Sequence, residues 1–200
     1  MKLLRLGLGS VNSTVGAVRK NAAAVIAGAQ ALAADNAQLA AFPELVICGY
    51  PPEDLVLFPR FITAQWQAVA EVARATAELP TLFVLGVLTS VDSQVYNCAA
   101  VLHRGEVLGL VPKEKLPLYS VFYESRTLSP GRAGLLRSVD LSAYGLGAAV
   151  PFGDLLFATD FGLLSVEVCE DIWSPNGPMS RRCLQGAEVV VNLSASPFRI

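Results

Sequence analysis

A single histidine, His103, restricts the chemistry open to this 200-residue chain. A nucleophile activated by an imidazole, in a Ser-His-Asp or Cys-His arrangement, would have to use that residue. His103 abuts Arg104-Gly105, a hairpin signal, and reads as a turn residue rather than a base. Of the four cysteines, Cys169 stands apart. It ends the run Leu163-Leu-Ser-Val-Glu-Val and is followed at once by Glu170-Asp171 and a turn, the kind of strand end where reacting groups gather in α/β sheets. Glu44 follows Ala41-Phe-Pro and Lys113 follows Val111-Pro, so both have the same placement. A carboxylate, an ammonium and a thiol converging on one sheet edge would supply base, charge stabiliser and nucleophile without histidine. Position alone leaves the plain alternatives open. Cys169 also fits a buried structural thiol, as do Cys48, Cys98 and Cys183, while Glu44 and Lys113 also fit solvated loop residues.

Other chemistries find no support in the residues. Gly7 and Gly9 begin a dinucleotide fingerprint, but Asn12 occupies its third glycine position, and no GxxxxGK[ST] phosphate loop occurs. The cysteines form no CxxC pair and the lone histidine cannot complete a typical site, so no metal is implied. Fifteen Lys and Arg against 17 Asp and Glu, scattered rather than striped, exclude a nucleic-acid footprint. Ala22 to Ala34 is interrupted by Gln30, and no apolar run approaches the ~18–20 residues that span a bilayer. The N-terminus lacks the sustained apolar stretch of a secretory signal. These readings together place the chain in the cytoplasm with free thiols, where Asn12-Ser-Thr and Asn192-Leu-Ser are chance glycosylation matches.

The elements that must carry these groups follow from patterning. With 53% hydrophobic and 16% charged residues, the chain has the apolar surface for one large core. Residues 3–9 read as a strand, and Val11-Asn-Ser-Thr offers cap residues to a helix over 15–36. A strand over 38–43, a Gly/Pro-rich stretch and a helix over 60–77 come next. Strands are expected at 81–88, 95–103 and 106–111, the last two forming a hairpin. Residues 112–147 read as a long irregular excursion of the kind that lines active sites. A hairpin turning at Asp160-Phe-Gly, a short helix over 178–185 and a strand over 188–193 complete the chain. This alternation predicts an α/β fold with a buried sheet covered by helices.

The three strand-end sites resemble the Glu-Lys-Cys triad of the nitrilase, or carbon-nitrogen hydrolase, superfamily. Phe42-Pro-Glu-Leu, Gly49-Tyr-Pro-Pro-Glu-Asp-Leu, the block from Pro112 to Arg126, Val168-Cys-Glu-Asp-Ile-Trp and Asn192-Leu-Ser-Ala-Ser-Pro-Phe occur in that order. Together they are similar to the glutaminase domain of the glutamine-dependent NAD+ synthetase family. Asn12, Gly16 and Asn21 fit that family's opening helix, although Ser10 stands where a glutamine is usual. The resemblance implies a nitrilase-type αββα sandwich, with Cys169 as nucleophile, Glu44 as base and Lys113, together with the backbone N–H of Glu170, as oxyanion donors. It further implies that Glu124 orients Lys113 and that Tyr119, Trp173 and Ser196 line a glutamine pocket, although Trp173 also fits a core aromatic.

Its further implications concern the whole protein. Residues 1–200 would form one carbon-nitrogen hydrolase domain, incomplete at its C-terminal end, with the ligase domain absent. The glutaminase reaction needs no cofactor; ATP and Mg belong to that ligase domain. The expected partners are L-glutamine, the ligase domain and further copies in a homo-oligomer. Substitution of Glu44, Lys113 or Cys169 is expected to abolish turnover and leave folding intact. The competing readings are a superfamily hydrolase acting on another amide, nitrile or N-carbamoyl compound, and an inactive structural module exposing edge strands.

Overall fold

The computed structural model describes residues 3–197. Two β-sheets pack face to face, with helices on their outer sides, as the αββα expectation requires. In the larger sheet, β1 (Leu6–Leu8), β2 (Leu39–Ala41), β3 (Leu82–Val91), β4 (Gln94–His103), β5 (Glu106–Pro112), β6 (Leu136–Val139) and β7 (Val150–Gly153) take the order β1-β2-β3-β4-β5-β7-β6. The smaller sheet is β10-β9-β8, from β8 (Phe157–Thr159), β9 (Gly162–Val168) and β10 (Val189–Leu193). Strands β1, β2 and β3 are parallel, and β3-β4-β5 is an antiparallel meander, so β2 and β5 end at the same edge.

Helices α1 (Val18–Ala34) and α2 (Pro59–Ala75) cover the outer face of the large sheet. On α2, Ile62, Trp66, Val69 and Ala73 recur at helical spacing and are buried, and Pro59 occupies the first turn, where its missing N–H costs nothing. Strand alternation sorts the two cores. Phe83, Leu85 and Val87 face the helices, whereas Leu82 and Val84 join Ala99, Val101 and Val111 against Leu164, Val166, Val168, Val191 and Leu193 of the small sheet. Helix α3 (Pro178–Leu184) lies outside the small sheet, where buried Arg182 donates to Asp154 and to the Val166 carbonyl. No helix among the described residues is long and apolar enough to cross a membrane.

Several expectations are corrected. The excursion over 112–147 contains β6, and β7 follows it; both extend the large sheet, which their short, irregularly patterned sequences did not reveal. The strands read as 81–88 and 95–103 are ten residues each and form a hairpin. Asp92 and Ser93 both take positive φ in its two-residue turn, a conformation that Asx and Ser tolerate without announcing it as Asn-Gly does. Helix α1 begins at Val18 behind an uncapped Ala17. Residues 14–17 instead form a loop, held where Asn21 accepts from the Thr14 N–H and donates to the carbonyls of Thr14 and Ile47. Cys183 is exposed rather than structural, while Cys48, Cys98 and Cys169 are buried. Phe198, which ends the last motif block, lies outside the described residues.

Candidate active site

Glu44 is delivered by a sharp turn after β2, where Leu45 takes φ 46°. That turn is pressed against β3 at Gly86. A Cβ on Gly86 would lie 2.1 Å from the Leu45 nitrogen and 2.5 Å from the Pro43 oxygen, so only glycine admits the approach. Lys113 directly follows β5, and its N–H still donates to the Asn97 carbonyl of β4 at 2.8 Å, so its place is set by the sheet ladder. Glu124 stands on a 3-10 turn (Glu124–Arg126) inside the long excursion. Cys169 follows β9, opening a second 3-10 turn (Cys169–Trp173), and holds φ 47°, an uncommon region for a residue with a Cβ.

These turns meet in a buried polar cluster. Lys113 is 0% exposed and Glu44 1% exposed, which removes the surface alternative for both. Lys113 Nζ donates to Glu44 Oε1 at 2.8 Å and to Glu124 Oε1 at 2.7 Å. Asn97 Nδ2 donates to the same Glu44 oxygen at 2.7 Å, and the Tyr50 hydroxyl donates to Glu124 Oε1 at 2.9 Å. Glu44 Oε2 accepts the Ala195 N–H at 3.2 Å, and the next residue places Ser196 Oγ 3.9 Å from Cys169 Sγ. The segment after β10 therefore touches both base and thiol. The Cys169 carbonyl accepts from Asn192 Nδ2 at 3.2 Å.

Charge and burial set the protonation states. Burial pushes the Cys169 thiol up to about 11, the Glu44 carboxylate adds to that shift, and Lys113 opposes it. Cys169 therefore rests as a thiol and needs a base at the moment of attack. Burial works against the Lys113 ammonium, but Glu44 and Glu124 outweigh it and its pKa rises, so the lysine stays charged. Burial lifts Glu124 above the ordinary carboxylate range against the pull of Lys113. An ammonium has three N–H donors, and two are spent on Glu44 and Glu124, leaving one for a third acceptor. Glu44 Oε2 likewise holds one N–H and retains capacity for a proton.

Beside the cluster is an open depression of about 590 Å³ whose lining includes Lys115, Leu118, Tyr119, Ser125 and Glu170. The Tyr119 hydroxyl donates to Glu170 Oε2 at 2.8 Å. Trp173 is 71% exposed, so it is no core aromatic, and no described contact ties it to the cluster. The structure thus brings Glu44, Lys113, Glu124, Cys169 and Ser196 together and puts Tyr119 and Glu170 at the rim. Sequence reasoning missed Asn97, Tyr50, Asp171 and Asn192. Asn97 is a lone amide inside an apolar strand, a signal available in hindsight, and the others lie within the motif blocks. No group of three or more His, Cys, Asp or Glu suited to a metal occurs among the described residues.

The chain matches the family model described as carbon-nitrogen hydrolase over residues 6–199. The glutamine-dependent NAD(+) synthetase of Mycobacterium tuberculosis H37Rv is 41% identical over 195 residues, which are 94% of this chain and 28% of that protein. The Aquifex aeolicus protein of the same description is 35% identical, covering 99% of this chain and 31% of its own length. The present chain thus spans only 28% and 31% of the length of these two relatives. Among solved structures, a glutamine-dependent NAD(+) synthetase from Cytophaga hutchinsonii superposes with a TM-score of 0.86 at 26% identity, over 98% of this chain and 31% of that one. An amidase of the nitrilase superfamily from Nesterenkonia sp. AN1 gives 0.74 at 19% identity, over 98% of this chain and 66% of that one, a likeness of fold. With its turn-borne thiol and buried carboxylate-ammonium pair on a two-sheet sandwich, the chain belongs to the carbon-nitrogen hydrolase family.

Proposed function

We propose that this chain hydrolyses the side-chain amide of L-glutamine to glutamate and ammonia through a Cys169 thioester. The observation that carries the reading is the Glu44-Lys113-Glu124 cluster, buried at the same end of the sandwich as Cys169 and linked to it by Ala195-Ser196. Glu44 takes the thiol proton as Sγ attacks the amide carbon. The carbonyl oxygen becomes an oxyanion that receives the remaining Lys113 N–H and the backbone N–H of Glu170, donors of a kind whose loss typically costs ~10²–10³ in rate. Collapse returns the proton from Glu44 to nitrogen, and ammonia leaves. Water, deprotonated by Glu44, then cleaves the thioester, releasing glutamate and restoring the thiol. Side chains and water balance the whole cycle, which calls on no cofactor.

Recognition of the amino-acid end falls to the rim. A free amino acid brings an ammonium, and the Glu170 carboxylate beside the Tyr119 hydroxyl is suited to meet it, with Ser196 close to the reacting amide. Trp173 supplies an exposed aromatic surface at the end of the same turn. The names of the relatives support glutamine and suggest where the ammonia goes. In the whole protein a ligase domain using ATP and Mg would consume it to amidate deamido-NAD+ to NAD+, in a cytoplasmic homo-oligomer. Glutamate release from L-glutamine, beside the Cys169→Ala variant and a panel of ω-amides and nitriles, tests this reading. Glutamine-selective turnover lost in the variant is expected; a variant that keeps the full rate, or a chain preferring nitriles, would sink it.

A further inference from the structure

The reaction above makes no use of Asp171, yet its carboxylate accepts three backbone N–H groups close to the nucleophile. It is 1% exposed. Its Oδ2 accepts the N–H of Val168, the residue before Cys169, at 3.1 Å. Its Oδ1 accepts the N–H groups of Glu114 at 3.0 Å and Lys115 at 2.8 Å, the two residues after Lys113. One carboxylate therefore ties the strand end that presents the thiol to the strand end that presents the ammonium, and those ends belong to different sheets. Burial raises this carboxyl to about 7 against the pull of its N–H donors.

Two further observations separate a geometric role from a general structural one. Cys169 holds φ 47°, a conformation that persists only where its surroundings over-determine it. The peptide on its C-terminal side is fixed independently, since Asn192, itself bonded to buried Glu167, donates to the Cys169 carbonyl. The strand end at Glu114 also has its own anchor, because the Glu114 side chain accepts from Arg181 at 2.5 Å and Asp154 joins Arg181 to Arg182. Without Asp171 both turns keep a hold on the fold. What is lost is the bond that runs directly from the backbone beside Cys169 to the backbone beside Lys113.

We infer that Asp171 is a positioning residue that sets the Cys169 thiol against the Lys113 ammonium by bonding the backbone beside each. The inference rests on the reading of Cys169 as nucleophile and Lys113 as oxyanion donor. Asp171→Asn is the discriminating variant. It keeps the volume and one acceptor oxygen for Glu114 and Lys115, but turns an NH2 group toward the Val168 N–H, donor against donor. Iodoacetamide alkylation is followed by mass spectrometry at Cys169 and, as an internal reference on α3, at exposed Cys183, beside kcat and KM for glutamine and the thermal midpoint.

The expected result is a Cys169 alkylation rate lowered at least tenfold, with Cys183 changed less than twofold and the midpoint kept within a few degrees. The kcat should fall by a comparable factor at nearly constant KM. An unchanged Cys169 rate overturns the inference, as does a loss of midpoint that alters both cysteines together, which would mark a role in the fold alone. Should the parent chain turn over no glutamine, the alkylation ratio still decides the positioning role. It is then the glutaminase reading that fails.

Discussion

Lys113 shows how one side chain answers two demands. In the proposed reaction it is the donor to a developing oxyanion, and as a buried cation it must be neutralised, so it sits between Glu44 and Glu124. Removing it would leave two carboxylates buried without a counter-charge, a loss of about 3–5 kcal/mol. Lys113→Ala is therefore expected to abolish turnover and also lower the thermal midpoint sharply, unlike the fold-neutral outcome that the family resemblance implied. Cys169→Ala is expected to remove turnover with little loss of thermal midpoint. Glu44→Gln separates base from charge. Glu44 raises the Cys169 thiol, so the amide variant should bring the thiol below about 11 while glutamine turnover disappears. More thiolate with less catalysis would identify Glu44 as the proton carrier; thiolate absorbance against pH, beside a glutamate assay, reads both quantities. A variant whose turnover rises with its thiolate fraction would contradict the base role.

Strand ends and the turns after them carry Glu44, Lys113 and Cys169, and their precision comes from close backbone approach. Gly86 is the clearest instance, because β3 gives up a side chain so that the Glu44 turn can press against it. Gly86→Ala leaves the chemistry of all three triad residues untouched. It is nevertheless expected to lower kcat by at least tenfold and to cost about 1–3 kcal/mol, as overpacking of a tight interior does; denaturant midpoint and glutaminase rate test the two parts. Wild-type activity in that variant would mean that the turn can shift without moving the carboxylate. The same logic explains why Asn97 was not apparent in the sequence: its role depends on the β4-β5 register that sets it beside Lys113, and register is a property of pairing, not of a strand read singly.

At the scale of the molecule, the two sheets are joined at one end by the catalytic cluster and supported from outside by the ion group of α3. Burial works against the Asp154 carboxylate, but Arg181, the Gly134 N–H and Arg182 draw it down to about 2. A carboxyl depressed in the folded state stabilises above its unfolded pKa of ~3.9 and loses that contribution as pH falls toward 2. Asp154 should therefore contribute stability at neutral pH that is lost between about pH 4 and 2. Comparison of the thermal midpoint of Asp154→Asn with that of the parent across this window should show the gap closing as pH falls. A constant gap would assign the stabilisation to packing of Arg182 rather than to charge.

The sequence by itself determined much of this protein: Glu44, Lys113 and Cys169 as strand-end residues, the helices over α1 and α2, and the motif blocks that mark the family. Those properties are local, written in residue type, hydrophobic period and short-range spacing. The tertiary structure decided which of the local options held. Burial converted Glu44 and Lys113 from possible surface charges into a paired cluster, while the fold left Cys183 exposed against expectation and took Trp173 out of the core. Pairing with β5 made a sheet edge of β7 and β6, in a stretch whose own sequence shows little strand pattern. The link through Asp171 joins residues 56 or more positions apart in the chain and exists only once two sheets are stacked. Convergence of groups far apart in sequence depends on packing and register, which the chain specifies collectively and no single segment displays.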